Sequence, residues 1–344
     1  MSAREIIVSI AVAVVVSACG PAGDAQQSPA ASATANSAAW RAPRTSWGEP
    51  DISGVYTNKD ENGTPFERPA DLVGKGLDEL GPDELAALNE RRRQAAIERA
   101  PTIGGVAGAD TGAGPPHWYE HLGAVNSQAW FIIEPPDGNF PALTEEGQRR
   151  AAANRAVLAK REQPDSYADM SLYDRCVTRS LPGSMMPVIY GNAYDITQSP
   201  GYVAIRYEMI HETRVIPTGD VPRLNGAIRG FMGDARGRWE GDTLVVETTH
   251  FRAGGTVDGY SETYRGVSEN LKITERFTPL DANTLRWEVR AEDPTTWVSP
   301  WAIAMPLKRD PEQAVFEYAC HEGNFGLRNI LSAARAAERT GAGQ

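Results

Sequence analysis

Val203-Ala204-Ile205-Arg206-Tyr207-Glu208-Met209 places an apolar residue at every second position, with Arg206 and Glu208 between them. Period-two alternation is the pattern of a β-strand with one buried and one polar face. Residues 211–216 read as its hairpin partner. Downstream the pattern recurs. The turn Trp239-Glu240-Gly241-Asp242 leads into a strand over 243–248. Leu271, Ile273, Glu275 and Phe277 mark another, and Leu285, Trp287, Val289 and Ala291 a third, with Arg286, Glu288 and Arg290 on its opposite face. Residues 297–307 and 315–320 complete the set. Short strands separated by Asp, Gly, Asn and Pro predict an antiparallel meander. A meander of this length closes into a barrel or, as the alternative, folds into a β-sandwich.

Upstream the texture differs. Residues 46–57 read as a first strand. Gly81-Pro82-Asp83-Glu84 starts a helix, with Pro at the first helical position and acids in the first turn, running to about Arg99. Residues 101–116 are Gly-rich and aperiodic, hence a loop. Thr144 caps a second helix that ends before Pro164. Leu327, Ile330, Leu331 and Ala334 share one face of a closing helix. These helices are peripheral to a mainly β fold. No internal repeat or βαβ rhythm is visible.

The N-terminus gives an address. Residues 6–16 are apolar but too short to span a bilayer, as in a signal peptide. Val16-Ser17-Ala18-Cys19 follows as a lipoprotein cleavage box, in which the Cys19 thiol takes the lipid and an acylated amino group adds a further chain. Gly20, rather than Asp, follows Cys19 and carries no inner-membrane retention signal. The expected layout is a signal peptide over 1–18, a flexible Ala/Ser/Gly/Gln tether over 19–39, one β-rich domain with helical insertions over 40–335 and a tail over 336–344. The expected location is the cell envelope, lipid-anchored at the outer membrane and facing the periplasm.

Of 344 residues, 41% are hydrophobic and 23% charged, an ordinary globular balance, and the net charge is −11. Such a chain has no basic footprint for nucleic acid. Three cysteines are present; once Cys19 is lipidated, Cys176 and Cys320 remain. In an oxidising compartment two thiols pair. A bridge closing so long a loop is worth at most about 5 kcal/mol by chain entropy.

The strong catalytic signatures are missing. There is no Gly-x-Ser-x-Gly elbow, no Gly-x-Gly-x-x-Gly after a strand, no His-Glu-x-x-His and no phosphate loop. No cofactor is expected. His117 and His121 have the i,i+4 spacing of a zinc pair, but Pro115-Pro116 and Gly123 leave barely one helical turn, so no metal site is assigned. Three other clusters carry acid–base chemistry. In the first, Glu208 and His211 lie close in sequence; if the polar face of their strand turned into a barrel, Glu208 would be desolvated and its pKa raised. His211 titrates near neutrality, and Arg206 or Arg214 could hold a carboxylate or a developing oxyanion. In the second, Glu317-Tyr318-Ala319-Cys320-His321-Glu322 sets His321 beside Glu322 on a segment that a disulfide would stiffen. In the third, Gly233 to Asp242 alternates acids and arginines in a mainly structural turn, with Asp234 and Arg236 the members expected to reach a pocket.

Several of these runs resemble a group of secreted bacterial proteins of unknown function, frequent in acidobacterial and sphingomonad-type genomes. They are Arg175-Cys176, Leu181-Pro182-Gly183-Ser184-Met185-Met186-Pro187, Glu208-Met209-Ile210-His211, the Gly233 to Asp242 stretch and Glu317 to Asn324. The resemblance covers about residues 45–335 and implies one folding unit. It implies cysteines at the positions of Cys176 and Cys320, which adds to the disulfide expectation, and it brings no mechanism. The segment 117–121 departs from its pattern. The alternating strands also resemble lipocalin-type barrels in general style, which licenses no function.

Two functions follow as expectations. One is an exported lipoprotein enzyme, a cofactor-independent lyase, hydrolase or isomerase acting on a small, partly apolar molecule. Glu208 with His211, or His321 with Glu322, would move the proton; Arg206 or Arg214 would hold charge; Tyr207, Trp239 and Trp301 would line the pocket. The alternative is a non-catalytic periplasmic lipoprotein that binds an apolar ligand. In both, the partner is a small molecule, the membrane is met through the N-terminal lipid, and the oligomeric state is open.

Overall fold

The computed structural model describes residues 40–99, 125–159, 163–255 and 268–341. Ten strands form one antiparallel sheet: β1 Gly54–Thr57, β2 Ile132–Glu134, β3 Ala193–Ser199, β4 Tyr202–Tyr207, β5 Thr213–Pro217, β6 Asp234–Glu240, β7 Thr243–Thr249, β8 Lys272–Asp281, β9 Thr284–Glu292 and β10 Trp301–Arg309. Their order is β5-β4-β3-β1-β10-β9-β8-β7-β6, with β2 also on β10. The chain thus makes two meanders, β3 to β5 and β6 to β10. The short β1 joins them, pairing Tyr56 with Arg309 on one side and with Tyr194 on the other. The sheet curls into a nearly closed barrel, and the fold is mainly β as the alternation predicts.

The gap in the barrel has a simple cause. Nine strands with every neighbouring pair antiparallel leave β5 and β6 pointing the same way. Parallel neighbours need a long crossover, and residues 218–233 supply it. At this seam Gly237 of β6 faces Ile216: a Cβ there would lie 3.1 Å from Ile216 Cγ2 and 3.0 Å from Thr218 Cγ2. The crossover is clamped to the outside of β6 and β7. Arg223 donates to the Asp234 carbonyl (2.9 Å) and to Glu247 Oε1 (2.6 Å), and Arg236 donates to Asp234 Oδ1 (2.5 Å) and to the Val221 carbonyl (2.9 Å).

The concave face of the sheet is filled. Val203, Ile205, Val246, Phe277, Trp287 and Trp301 are all fully buried and belong to one continuous core. Residues 178–186 form a wholly buried stretch. Leu181, Met185 and Met186 enter the same core, and Asn58 Nδ2 ties the stretch down by donating to the Met185 carbonyl at 2.8 Å.

Among the described residues three α-helices stand outside the sheet: α1 Pro82–Arg99, α2 Glu145–Ala159 and α3 Gly326–Thr340. Thr144 caps α2 as expected, its Oγ1 accepting from the Gly147 amide at 3.0 Å. Glycine at 341, with φ of 65°, ends α3.

Some boundaries differ from the sequence reading. The first strand is only β1; residues 44–50 form a bridged loop before it. Trp239 is in β6, and the turn is Gly241-Asp242. Residues 297–300 precede β10, where the Trp297 amide donates to the Asp293 carbonyl at 2.9 Å. Residues 315–320 form no strand: the chain leaves the sheet there because Cys320 is bonded to Cys176. The expected signal peptide, the tether, Cys19 and the His117–His121 cluster lie outside the described residues.

Candidate functional site

One ion pair sits inside the barrel. Arg214 lies on the buried face of β5, between exposed Thr213 and Val215. Glu275 lies on the buried face of β8, between Ile273 and Phe277. Arg214 Nη1 donates to Glu275 Oε2 at 2.6 Å, and Trp287 Nε1 donates to Oε1 at 3.1 Å. Burial alone would lower the Arg214 pKa, but the Glu275 carboxylate overrides it and holds the guanidinium charged. Burial pushes the Tyr207 phenol upward. Tyr207 OH, Arg214 Nε and Nη2, and Thr248 Oγ1 are buried with no hydrogen-bond partner among the described residues.

Next to this pair the chain turns out of the sheet. Between β4 and β5, residues Met209–His211 make a 3-10 turn in which Ile210 has φ of 64°. A left-handed β-branched residue is strained. Glu208, just before the turn, accepts from the Ala193 amide at 3.1 Å. Glu212, just after it, accepts from Thr178 Oγ1 at 2.8 Å.

Val188, Met209 and Ile210 form a second, smaller apolar cluster, and Tyr173, Tyr190 and Tyr318 pack on it. The rings of Tyr190 and Tyr318 stack at 6.5 Å, and Tyr173 OH reaches Met209 Sδ at 3.7 Å. The Cys176–Cys320 disulfide holds the strand-free segment of Tyr318 in place, and Asn324 Nδ2 approaches Cys176 Sγ at 3.4 Å. Burial pushes the Tyr318 phenol up to about 12, with the neighbouring Tyr190 adding to it. Tyr173 is raised too, first by burial and then by Tyr190 and Tyr318. Both phenols stay protonated at physiological pH, as tyrosines ordinarily do. Arg179, almost wholly buried, lies close enough for its charge to oppose the rise at Tyr318. Cys176 (φ 55°) and Ser180 (φ 60°) are also left-handed. Of the four non-glycine residues with positive φ among the described residues, three belong to this end of the barrel.

The residues singled out from the sequence are distributed as follows. Tyr318 packs on the cluster that contains Met209, the residue that follows Glu208 in the chain. Glu208 does not point into the barrel by way of a polar inner face: the face of β4 bearing Arg206 is the outer one, where Arg206 pairs with Asp195 at 3.4 Å. His211 is placed on the turn by its backbone. His321 and Glu322 are exposed. Tyr207 and Arg214 face the barrel interior. Asp234 and Arg236 occupy outward positions of β6, where they clamp the crossover. Trp239 is half-buried against the core. Trp301 is core, packed edge-on against Trp297 at 5.5 Å and Phe140 at 5.0 Å.

Sequence reading missed Glu275, although a carboxylate at an apolar position of a period-two pattern is a visible signal. It also missed Tyr173 and Tyr190, which no periodicity marks. A separate cleft of about 380 Å³, lined by Trp40, Asp51, Tyr56, Asp281 and Arg309, went unforeseen as well. Among the described residues no group of three or more His, Cys, Asp and Glu is arranged to hold a metal ion. No family model and no curated protein compared with this chain matches it.

Proposed function

We propose that this protein is an exported, lipid-anchored enzyme that performs cofactor-independent acid–base chemistry on a small, partly apolar molecule at the tyrosine-lined end of the barrel. The observation that carries this reading is a convergence. Three tyrosines, two of whose phenols burial pushes upward, meet the strained Met209–His211 turn under a disulfide clamp. Strain of this kind collects at functional sites, and it persists only where the surroundings enforce it.

In this reading Glu208, fixed by the Ala193 amide, and His211 move the proton. Tyr318 and Tyr173 donate hydrogen bonds to the oxygen on which negative charge develops, and buried Arg179 favours that charge. Val188, Met209 and Ile210 supply the apolar wall. The carrier alternative would need an apolar cavity within the sheet, a space that Phe277, Trp287 and Trp301 fill.

The test requires no known substrate. Purified protein and its Glu208→Gln variant are incubated with a small-molecule extract of cells lacking the gene, and both are profiled by mass spectrometry. The expected result is a compound consumed by the parent protein and untouched by the variant, with both melting at nearly the same temperature. Identical profiles would overturn the reading. The envelope location is checked separately: Cys19→Ala moves the protein out of the membrane fraction if the lipid anchor is real.

A further inference from the structure

The cleft of about 380 Å³ shares no residue with the tyrosine cluster. Its place follows from the sheet. Alternation turns Phe277 of β8 and Leu307 of β10 inward, and Pro279 and Arg309 continue those two rows beyond the buried core. Tyr56 of β1 stands opposite Arg309, so their side chains share that face. Trp40, Asp51 and Asp281 line the cleft with them.

Arg309 has a built seat. Its Nη1 donates to the Ser53 carbonyl and its Nη2 to Tyr56 OH, both at 2.7 Å, with the guanidinium 4.9 Å from the centre of the Tyr56 ring. Position 54 must be glycine for this. Its φ is 143°, and a Cβ there would run into Arg309 Nη1. Yet the charge is unanswered. Those bonds use two of the five guanidinium N–H groups. Nε is shut from solvent without an acceptor, and no carboxylate pairs with Arg309 among the described residues. The acids are equally open. Asp51 accepts from the Ser53 amide at 3.0 Å and Asp281 from the Asn283 amide at 2.7 Å, and neither pairs with Lys or Arg among the described residues. Arg309 and Asp51 act on the Tyr56 phenol with opposite sign, so both charges lie near it without pairing.

We propose that this cleft binds an α-amino acid with an apolar side chain. Its carboxylate sits on Arg309, its ammonium on Asp51, and its side chain against Trp40 and Pro279. Charge decides the class. Lys308 acts on Asp281 from beside the cleft, so Asp51 and Asp281 against Lys308 and Arg309 leave no net charge. A ligand of one sign gains little there, whereas a zwitterion meets an opposite charge at each end. Carboxylate recognition by a guanidinium adds directional hydrogen bonds. Trp40, 41% exposed, offers an uncovered aromatic wall. The volume lies at the small end of the roughly 300–1,000 Å³ of small-molecule sites. The proposal is independent of the enzymatic reading of the tyrosine-lined end.

The experiment is isothermal titration calorimetry of the mature chain with L-phenylalanine and L-leucine. Two truncated analogues run beside them: 2-phenylethylamine, which lacks the carboxylate, and 3-phenylpropanoate, which lacks the ammonium. At least one amino acid is expected to bind, and phenylalanine about tenfold or more tighter than either analogue. Asp51→Asn should weaken the amino acid about tenfold with melting unchanged, and leave 3-phenylpropanoate as it was. Arg309→Gln should do the converse, sparing 2-phenylethylamine. If Arg309→Gln fails to fold, the analogues and Asp51→Asn still decide. No binding of either amino acid at millimolar concentration overturns the proposal. So does an analogue that binds as tightly as phenylalanine, or amino-acid binding indifferent to Asp51→Asn, which would put the ligand elsewhere.

Discussion

Arg214 and Glu275, 61 positions apart in the chain, meet at 2.6 Å across the inside of the barrel. Neither side chain reaches solvent: their exposures are 4% and 0%. Removing two charges from water is costly, and the attraction between them repays that cost only while both remain. Glu275→Ala should therefore destabilise the protein by about 3–5 kcal/mol, because it strands a buried guanidinium. The double variant Arg214→Met, Glu275→Leu should recover most of that loss. Denaturant melts of both single variants and the double variant measure the coupling; additive losses would show that the pair is not a unit.

Much of the sheet was legible because one face is buried and the other wet. The runs around Val203, Ile273 and Leu285 keep period two, broken in apolar character only by Glu275, and each became a strand. Arg214 and Glu275 were harder to interpret, because a charged residue at an inward position looks the same in sequence whether it is paired or misplaced. Only the curl of the sheet brings β5 opposite β8. The tyrosine cluster was illegible for a different reason. Tyr173 and Tyr190 lie in irregular chain, and what unites them with Tyr318 is a cross-link spanning 144 positions. Residues 315–320 misled for the same reason: the local pattern is strand-like, but the disulfide draws the segment away from any strand partner.

The disulfide should matter to both stability and site. Cys176→Ser with Cys320→Ser is expected to cost roughly 2–5 kcal/mol and to loosen residues 317–324. Hydrogen exchange on the intact and substituted proteins would show faster exchange at Tyr318 and Cys320, whose amide donates to the Tyr318 carbonyl at 2.8 Å. Thiol titration of the denatured mature protein should find no free cysteine. Two titratable thiols would contradict the bond.

Acid sensitivity should have one identifiable source at Asp293. Burial would raise its pKa, but hydrogen bonds from Thr296 (2.5 Å), from Ser268 (2.8 and 2.9 Å) and from Thr295 outweigh that and hold its carboxyl below the usual carboxylate range. A carboxylate with a depressed folded pKa stabilises above its unfolded pKa, and that contribution is lost as pH falls through the folded one. Asp293→Asn should thus be clearly destabilising at pH 7. The difference from the parent protein should shrink below about pH 4, the ordinary value for Asp. Chemical denaturation at neutral and acid pH reads this directly. Glu61 should behave oppositely: burial raises its pKa, so its contribution is greatest in acid and declines as pH rises through the folded value.

The seam between β5 and β6 gives the sharpest test of the topology. These strands run parallel without a ladder between them, so side-chain packing at Ile216, Gly237 and Leu244 is what bridges the gap in the barrel. A Cβ at 237 would be crowded, at 3.0 Å from Thr218, 3.1 Å from Ile216 and 3.3 Å from Leu244. Alanine could fit if these flexible methyl groups shifted by a few tenths of an ångström. Valine would add two more carbons where no room remains. Gly237→Val should cost about 1–3 kcal/mol, the usual penalty for overfilling a packed region, and Gly237→Ala much less. Trimming Ile216→Ala in the valine background should restore part of the loss, since it vacates the space that the valine needs. Rescue by that substitution, measured against Ile216→Ala alone, would place β5 directly against β6. Independent, additive losses would mean that the barrel stands open at this seam.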